Sequence, residues 1–134
     1  MHNKVTHCAL LLIVILNCLA APISCRASKA NKDEEVDIVT MSASPNKEYL
    51  ATVYIVWGGG AAGYVYRLVN IRKRSDPFDP KKGIVFYMTG ATDLNLEWEN
   101  NEHLIVTYSK LANVYTQAKA WGDKGEVQIS YVAQ

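Results

Sequence analysis

Hydrophobic and polar positions alternate along most of the chain with the two-residue period of a β-strand, and no long stretch follows the period of a helix. Residues 49–57 are apolar at both alternating sets of positions, which predicts a central strand with both faces covered. Residues 94–98 place leucine and tryptophan between asparagine and glutamate, which predicts a strand with one buried face. The same criteria predict further strands at 64–71, 84–88, 104–108, 114–120 and 127–131.

Turn-forming residues separate these strands at regular intervals. The glycine-rich segment 58–63 joins the first two strands as a hairpin, and Asn100-Asn101 marks the turn of a second hairpin over 93–109. Residues 72–83 form a polar loop that contains two prolines. About seven strands at this spacing predict an all-β domain of antiparallel strands, built either as a small sandwich or as a barrel-like meander.

The first residues of the chain have the pattern of a secretory signal. A basic start is followed by the uncharged, mainly apolar run 8–21 and then by small residues. This run is shorter than the roughly 20 residues that a membrane-spanning helix needs. Pro22-Ile23-Ser24-Cys25 looks like a bacterial lipobox, in which Cys25 is the candidate lipid attachment site, although Pro22 stands where leucine is usual. Ordinary cleavage after Ala21 or Ala30 is the competing interpretation.

These features divide the chain into a signal peptide at 1–24, a polar tether at 25–41 and a single β domain at 42–134. All three cysteines lie in or beside the signal, so the exported domain has no disulfide, no thiol nucleophile and no cysteine metal site. The net charge of +1 argues against a nucleic-acid partner, which favours a clearly basic domain. The sequence predicts no cofactor.

The glycine-rich hairpin satisfies the pattern G-x-G-x-x-G, but a dinucleotide site needs a helix after it, and a strand is predicted there. Glycines that adopt positive φ angles in a hairpin loop account for the pattern instead. Flexible glycines between aromatic residues also suit a contact with a ligand or partner. The candidate contact loop consists of Trp57, Gly58, Gly59, Gly60, Gly63 and Tyr64.

No catalytic constellation emerges from the titratable residues of the domain. His103 is its only histidine, and no strand-turn-helix context supports a triad of His103 with Ser44 or Ser109. Glu97 and Glu99 share the polar face of one strand, which explains them as solvent-facing residues. A carboxylate-based hydrolase requires these two glutamates, Asp93 and His103 to converge in a concave pocket. The sequence predicts a protein that is not an enzyme and binds no metal.

The body of the chain resembles a family of small bacterial exported proteins and lipoproteins with no established function. The resemblance covers about residues 42–134 and implies export and a β-rich domain, without a catalytic motif. Asn46-Lys47 departs from the family pattern, where Asp-Gly is common. The segments that carry the resemblance are 44–49, 59–64, 96–98, 104–108 and 129–131.

Three functions follow from these observations. The favoured hypothesis is a non-catalytic binding module of the bacterial cell envelope, held to the membrane by a lipid and in contact with an envelope protein or glycan. The alternative is a soluble secreted or periplasmic inhibitor or small-ligand binder. A carboxylate-based hydrolase is the third and least favoured. The first places the protein on a membrane, and the second places it free in the periplasm or outside the cell.

Overall fold

A computed structural model describes residues 34–90 and 92–134. Within them the chain forms nine strands, one short 3-10 turn and no α-helix, so the prediction of an all-β fold is confirmed. The strands are β1 (Glu34–Ala43), β2 (Tyr49–Gly58), β3 (Tyr64–Lys73), β4 (Ile84–Thr89), β5 (Leu94–Asn100), β6 (His103–Tyr108), β7 (Asn113–Gln117), β8 (Ala120–Trp121) and β9 (Val127–Ala133).

The strands form two sheets that enclose one hydrophobic core. The larger sheet has the order β1-β2-β3-β4-β7, and the smaller sheet has the order β5-β6-β9-β8. Core residues come from both sheets, which identifies the fold as a sandwich rather than a single closed meander. They include Val53, Val69, Phe86, Leu104 and Val127, all of which are buried.

Two details of the predicted topology were wrong. The count of about seven strands missed β1, and the single strand predicted over 114–120 is two strands, β7 and the two-residue β8, which belong to different sheets. In addition, β6 and β9 pair in parallel, whereas every strand was expected to be antiparallel. The chain leaves the smaller sheet after β6, adds β7 to the larger sheet and returns through β8. This crossover brings β9 beside β6 in the same direction, which a simple hairpin cannot do.

Strand β1 occupies residues that were assigned to the polar tether. Residues 34–41 pair with β2 instead of forming a linker, with one bulge between Ile38 and Thr40. The acidic residues Glu34, Glu35 and Asp37 are compatible with this because β1 is an edge strand and most of its side chains are exposed. The predicted signal peptide, Cys25 and the rest of the tether lie outside the described residues.

The prediction that β2 is central, with both faces covered, is confirmed. Val53 faces the core, while Thr52 and Tyr54 point to the outer face of the larger sheet and are also buried. The loop between β3 and β4 covers this outer face. The Tyr54 hydroxyl donates a hydrogen bond of 2.8 Å to the carbonyl oxygen of Pro80, and its ring packs edge-on against Phe78 at 5.2 Å. The polar loop is therefore a third layer over β2 and β3.

Alkaline pH is expected to weaken the attachment of this loop. Burial, with a smaller effect of the Asp79 carboxylate, raises the pKa of Tyr54 to about 12. Because the unfolded chain has a tyrosine pKa of about 10, this residue's contribution to stability is complete below pH 10 and is lost as the pH rises through 12. We expect the urea midpoint to fall more steeply across this range in the wild type than in Tyr54→Phe. An equal fall of the urea midpoint with pH in the two proteins would contradict the assignment of this pH dependence to Tyr54.

Candidate functional site

The glycine-rich loop closes a long hairpin between β2 and β3. Gly59, Gly60 and Gly63 all have positive φ angles, of 87°, 57° and 33°, and a Cβ on Gly59 would lie 2.8 Å from the Tyr64 ring. Residues 60–62 form the 3-10 turn, and β3 starts immediately after Gly63. The hairpin prediction is confirmed, and the loop lacks the helix that a dinucleotide site requires.

An exposed apolar pair flanks the glycine-rich loop 58–63. Trp57 and Val65 lie opposite each other on β2 and β3, and their exposed fractions are 40% and 41%. They lie on the same face of the sheet as Val53, which is fully buried. Side chains on the core-facing side of the sheet therefore become more exposed toward the loop end of the hairpin. No charged residue occurs between Glu48 and Arg67. The part of the hairpin nearest the loop, residues 49–66, is therefore uncharged, and its end exposes a tryptophan to solvent.

On the other face of the same sheet, tyrosine rings contact one another in a continuous series, here called the tyrosine row. Successive ring centroids lie 4.7, 5.0 and 5.1 Å apart. The series begins beside the glycine loop and crosses β3, β4 and β7 to the sheet edge, where Tyr115 is 62% exposed. Burial, with smaller effects of the neighbouring tyrosines, raises the pKa of Tyr87 to about 12. The tyrosine row consists of Tyr64, Tyr66, Tyr87 and Tyr115.

A hydrogen-bonded relay links three strands of the smaller sheet. His103 Nδ1 lies 2.6 Å from Glu99 Oε2, and His103 Nε2 lies 2.7 Å from Ser130 Oγ. The serine that contacts the histidine is Ser130, and not Ser44 or Ser109, the two candidates weighed from the sequence. The parallel pairing of β6 with β9 brings Ser130 close to His103. No local sequence motif predicts this contact. Ser44 is buried, and its hydroxyl accepts a hydrogen bond from the backbone N–H of Tyr49.

The relay has the order of a Ser-His-acid triad without the surroundings that acyl transfer needs. Such chemistry requires a substrate pocket and hydrogen-bond donors aimed at the oxyanion. Ser130 instead lies in the middle of a strand pair, opposite Ile105, and its side chain is exposed. A cleft of about 440 Å³ at the β5–β6 end is lined by Asp93 and Asn95, but not by Glu97, Glu99 or His103. The convergence required for the carboxylate hydrolase is therefore not seen among the described residues.

A second cleft, of about 380 Å³, lies between the β3–β4 loop and Trp121. Its lining contains charges of both signs, from Arg72, Asp76 and Lys82 among others. The buried Asn70 donates weak bonds of 3.4 Å to two loop carbonyls, while its Oδ1 has no partner in the described part of the chain. This volume suits a small polar ligand. Residues 72–83, which line most of this cleft, were predicted to form a polar loop.

Other site types find no support within residues 34–90 and 92–134. No cluster of three or more His, Cys, Asp or Glu side chains there is placed to hold a metal ion. No helix in the described ranges is long and apolar enough to cross a membrane. No family model, curated protein or solved structure matches the chain.

Proposed function

We propose that the protein is a non-catalytic binding module of the bacterial cell envelope, exported and held to the membrane by a lipid on Cys25. The tyrosine row is its contact surface for another envelope component. The observation that carries this proposal is the unbroken contact of four tyrosine rings on a sheet face that becomes exposed toward Tyr115. The signal pattern and the candidate lipid cysteine support the location.

The chemistry of the row favours a neutral glycan as the partner. Tyrosine rings offer apolar faces and hydroxyl groups with little loss of side-chain freedom, since only two torsions are fixed. The residues paired with Tyr66 and Tyr87 across the neighbouring strands include Thr89 and Thr116, which are neutral and polar. Sugar rings combine apolar C–H faces with hydroxyl groups, so they complement such a surface. Because the rings sit on adjacent strands, the site is preorganised.

Loss of two rings is expected to weaken glycan binding about fivefold or more, since each aromatic contact contributes about 0.5–1.5 kcal/mol. The test compares the wild type with the Tyr87→Ala/Tyr115→Ala double variant in co-sedimentation with isolated cell-wall glycan. Val132→Ala removes an exposed side chain from the smaller sheet and serves as the control. Circular dichroism checks that each variant folds. Equal sedimentation of all three proteins would refute the glycan site. Binding of a protein, and of no glycan, through the tyrosine row would replace the glycan with a protein as the proposed partner.

The soluble inhibitor or small-ligand binder is the second candidate, and the cleft beside Trp121 favours it. Intact mass combined with cell fractionation separates the two functions in a bacterial host. A membrane-bound chain that begins at an acylated Cys25 supports the envelope module. A soluble chain that begins after Ala21 or Ala30 excludes the lipid tether and moves the small-ligand function to first place.

A further inference from the structure

The first described residue lies beside the glycine loop. Glu34 pairs with Gly58, and the Tyr64 hydroxyl donates a 3.2 Å hydrogen bond to the Glu34 carboxylate. The chain therefore enters the domain at the same end as the hairpin turn. Cys25 is nine residues earlier, and nine residues reach at most about 32 Å when fully extended. A lipid on Cys25 would thus hold the hairpin end close to the bilayer.

We infer that the hairpin end, comprising Trp57, the loop 58–63 and Val65, is a second membrane contact that rests in the lipid interface. This inference rests on the lipid tether of the proposed function. The tyrosine row extends from this end toward the far edge of the sheet, so Tyr87 and Tyr115 remain available to a separate partner. The two surfaces can be occupied together, with the bilayer at one end of the domain and the glycan on its face.

The chemistry of the hairpin end suits shallow insertion. Its loop contains only glycine and alanine, and Trp57 and Val65 expose apolar surface next to it. Tryptophan and tyrosine are enriched at membrane interfaces because one part of the ring is apolar and another can hydrogen-bond. Two N–H groups of the turn, those of Ala62 and Gly63, bond to carbonyls within it. These bonds lower the penalty for moving the backbone out of water.

The charges near this end predict which lipids it prefers. Glu34 and Glu35 border the loop on β1, opposite Gly58 and Trp57. Carboxylates at this depth are repelled by anionic headgroups, so a zwitterionic surface is the better match. Contact of the hairpin end with the bilayer would also strengthen membrane attachment, because binding through few acyl chains is reversible and a second, independent point of binding stabilises it.

The test places the processed protein, purified from a bacterial host, on phosphatidylcholine vesicles whose acyl chains carry bromine. Bromine quenches tryptophan that enters the apolar region. We expect quenching in the wild type and its loss in Trp57→Phe, since Trp98 and Trp121 pack against the core. We also expect reduced quenching in Gly60→Asp, where a new Cβ meets nothing within 4 Å and the charge opposes insertion. Wild-type emission that is the same in brominated and ordinary lipid would overturn the inference.

The mass of the same preparation separates this inference from the tether. An acylated chain without quenching refutes the hairpin contact and leaves the tether intact. An unacylated chain that still shows Trp57-dependent quenching supports the hairpin contact and refutes the tether. Addition of phosphatidylglycerol is expected to weaken quenching of an unacylated chain, and stronger quenching would overturn the lipid preference.

Discussion

Replacing Phe86 with alanine is expected to lower the free energy of unfolding by about 3–5 kcal/mol. Phe86 is fully buried on β4, and its ring lies 5.1 Å from Tyr108 and 5.5 Å from Tyr131. The partners belong to β6 and β9, so this ring joins the larger sheet to the smaller one. Alanine would leave a cavity at the contact between the layers, and neither sheet can collapse freely into it.

The magnitude is large for a domain of this size, because total stabilities are typically about 5–15 kcal/mol. Urea denaturation followed by circular dichroism measures the loss directly. Leu111→Ala is the matched control, since this leucine is 84% exposed and its removal should change stability by less than about 0.5 kcal/mol. Similar losses in the two variants would show that Phe86 does not link the layers.

Local patterns along the chain predicted most of the strands correctly. Residues 49–57, which are apolar at both alternating sets of positions, form the central strand β2. Residues 94–98, where apolar and polar positions alternate, form most of β5. Both predicted hairpins formed, because their turns and flanking strands are contiguous in the sequence. Such features depend on neighbours only a few residues away, so periodicity and turn chemistry suffice to find them.

The features that sequence analysis missed depend on tertiary position. Strand β1 resembles a charged linker, because an edge strand tolerates Glu34, Glu35 and Asp37 where a central strand would not. Pairing with β2 supplies the hydrogen bonds that hold it. The polar β3–β4 loop likewise gains its order from Tyr54 and Asn70 beneath it. The residues that order β1 and the β3–β4 loop lie on other strands, so the hydrophobic pattern within these two segments does not reveal their order.

The candidate site divides in the same way. The glycine loop and its flanking aromatic residues were found because turn chemistry is local. The tyrosine row joins positions on three strands, and Tyr87 and Tyr115 meet only because β4 pairs with β7. The relay through His103 requires the parallel register that brings Ser130 to the histidine. Sheet order decides both clusters, and strand order in a sandwich is a property of the whole chain.

A pair of glycine substitutions separates backbone strain from steric overlap. Gly60 and Gly83 have similar φ angles of 57° and 62°, so alanine at either position incurs the strain of the left-handed region, about 1–2 kcal/mol. Their surroundings differ. A Cβ on Gly60 meets nothing within 4 Å, whereas a Cβ on Gly83 would overlap the carbonyl oxygen of Ile71 and lie 3.1 Å from Trp121 Nε1.

Gly83→Ala is therefore expected to destabilise the protein by at least about 2 kcal/mol more than Gly60→Ala. The Ile71 carbonyl belongs to β3 and cannot yield, because Ile71 is buried and its N–H donates a 2.9 Å hydrogen bond to Gly83 itself. The loop must then move away from β3, which strains the contacts of Tyr54 with Pro80 and Phe78. Urea midpoints measure the stability difference, and Trp121 emission reports displacement beside the cleft. Equal losses from the two substitutions would show that the loop accommodates the methyl group and that Gly83 does not hold it against β3.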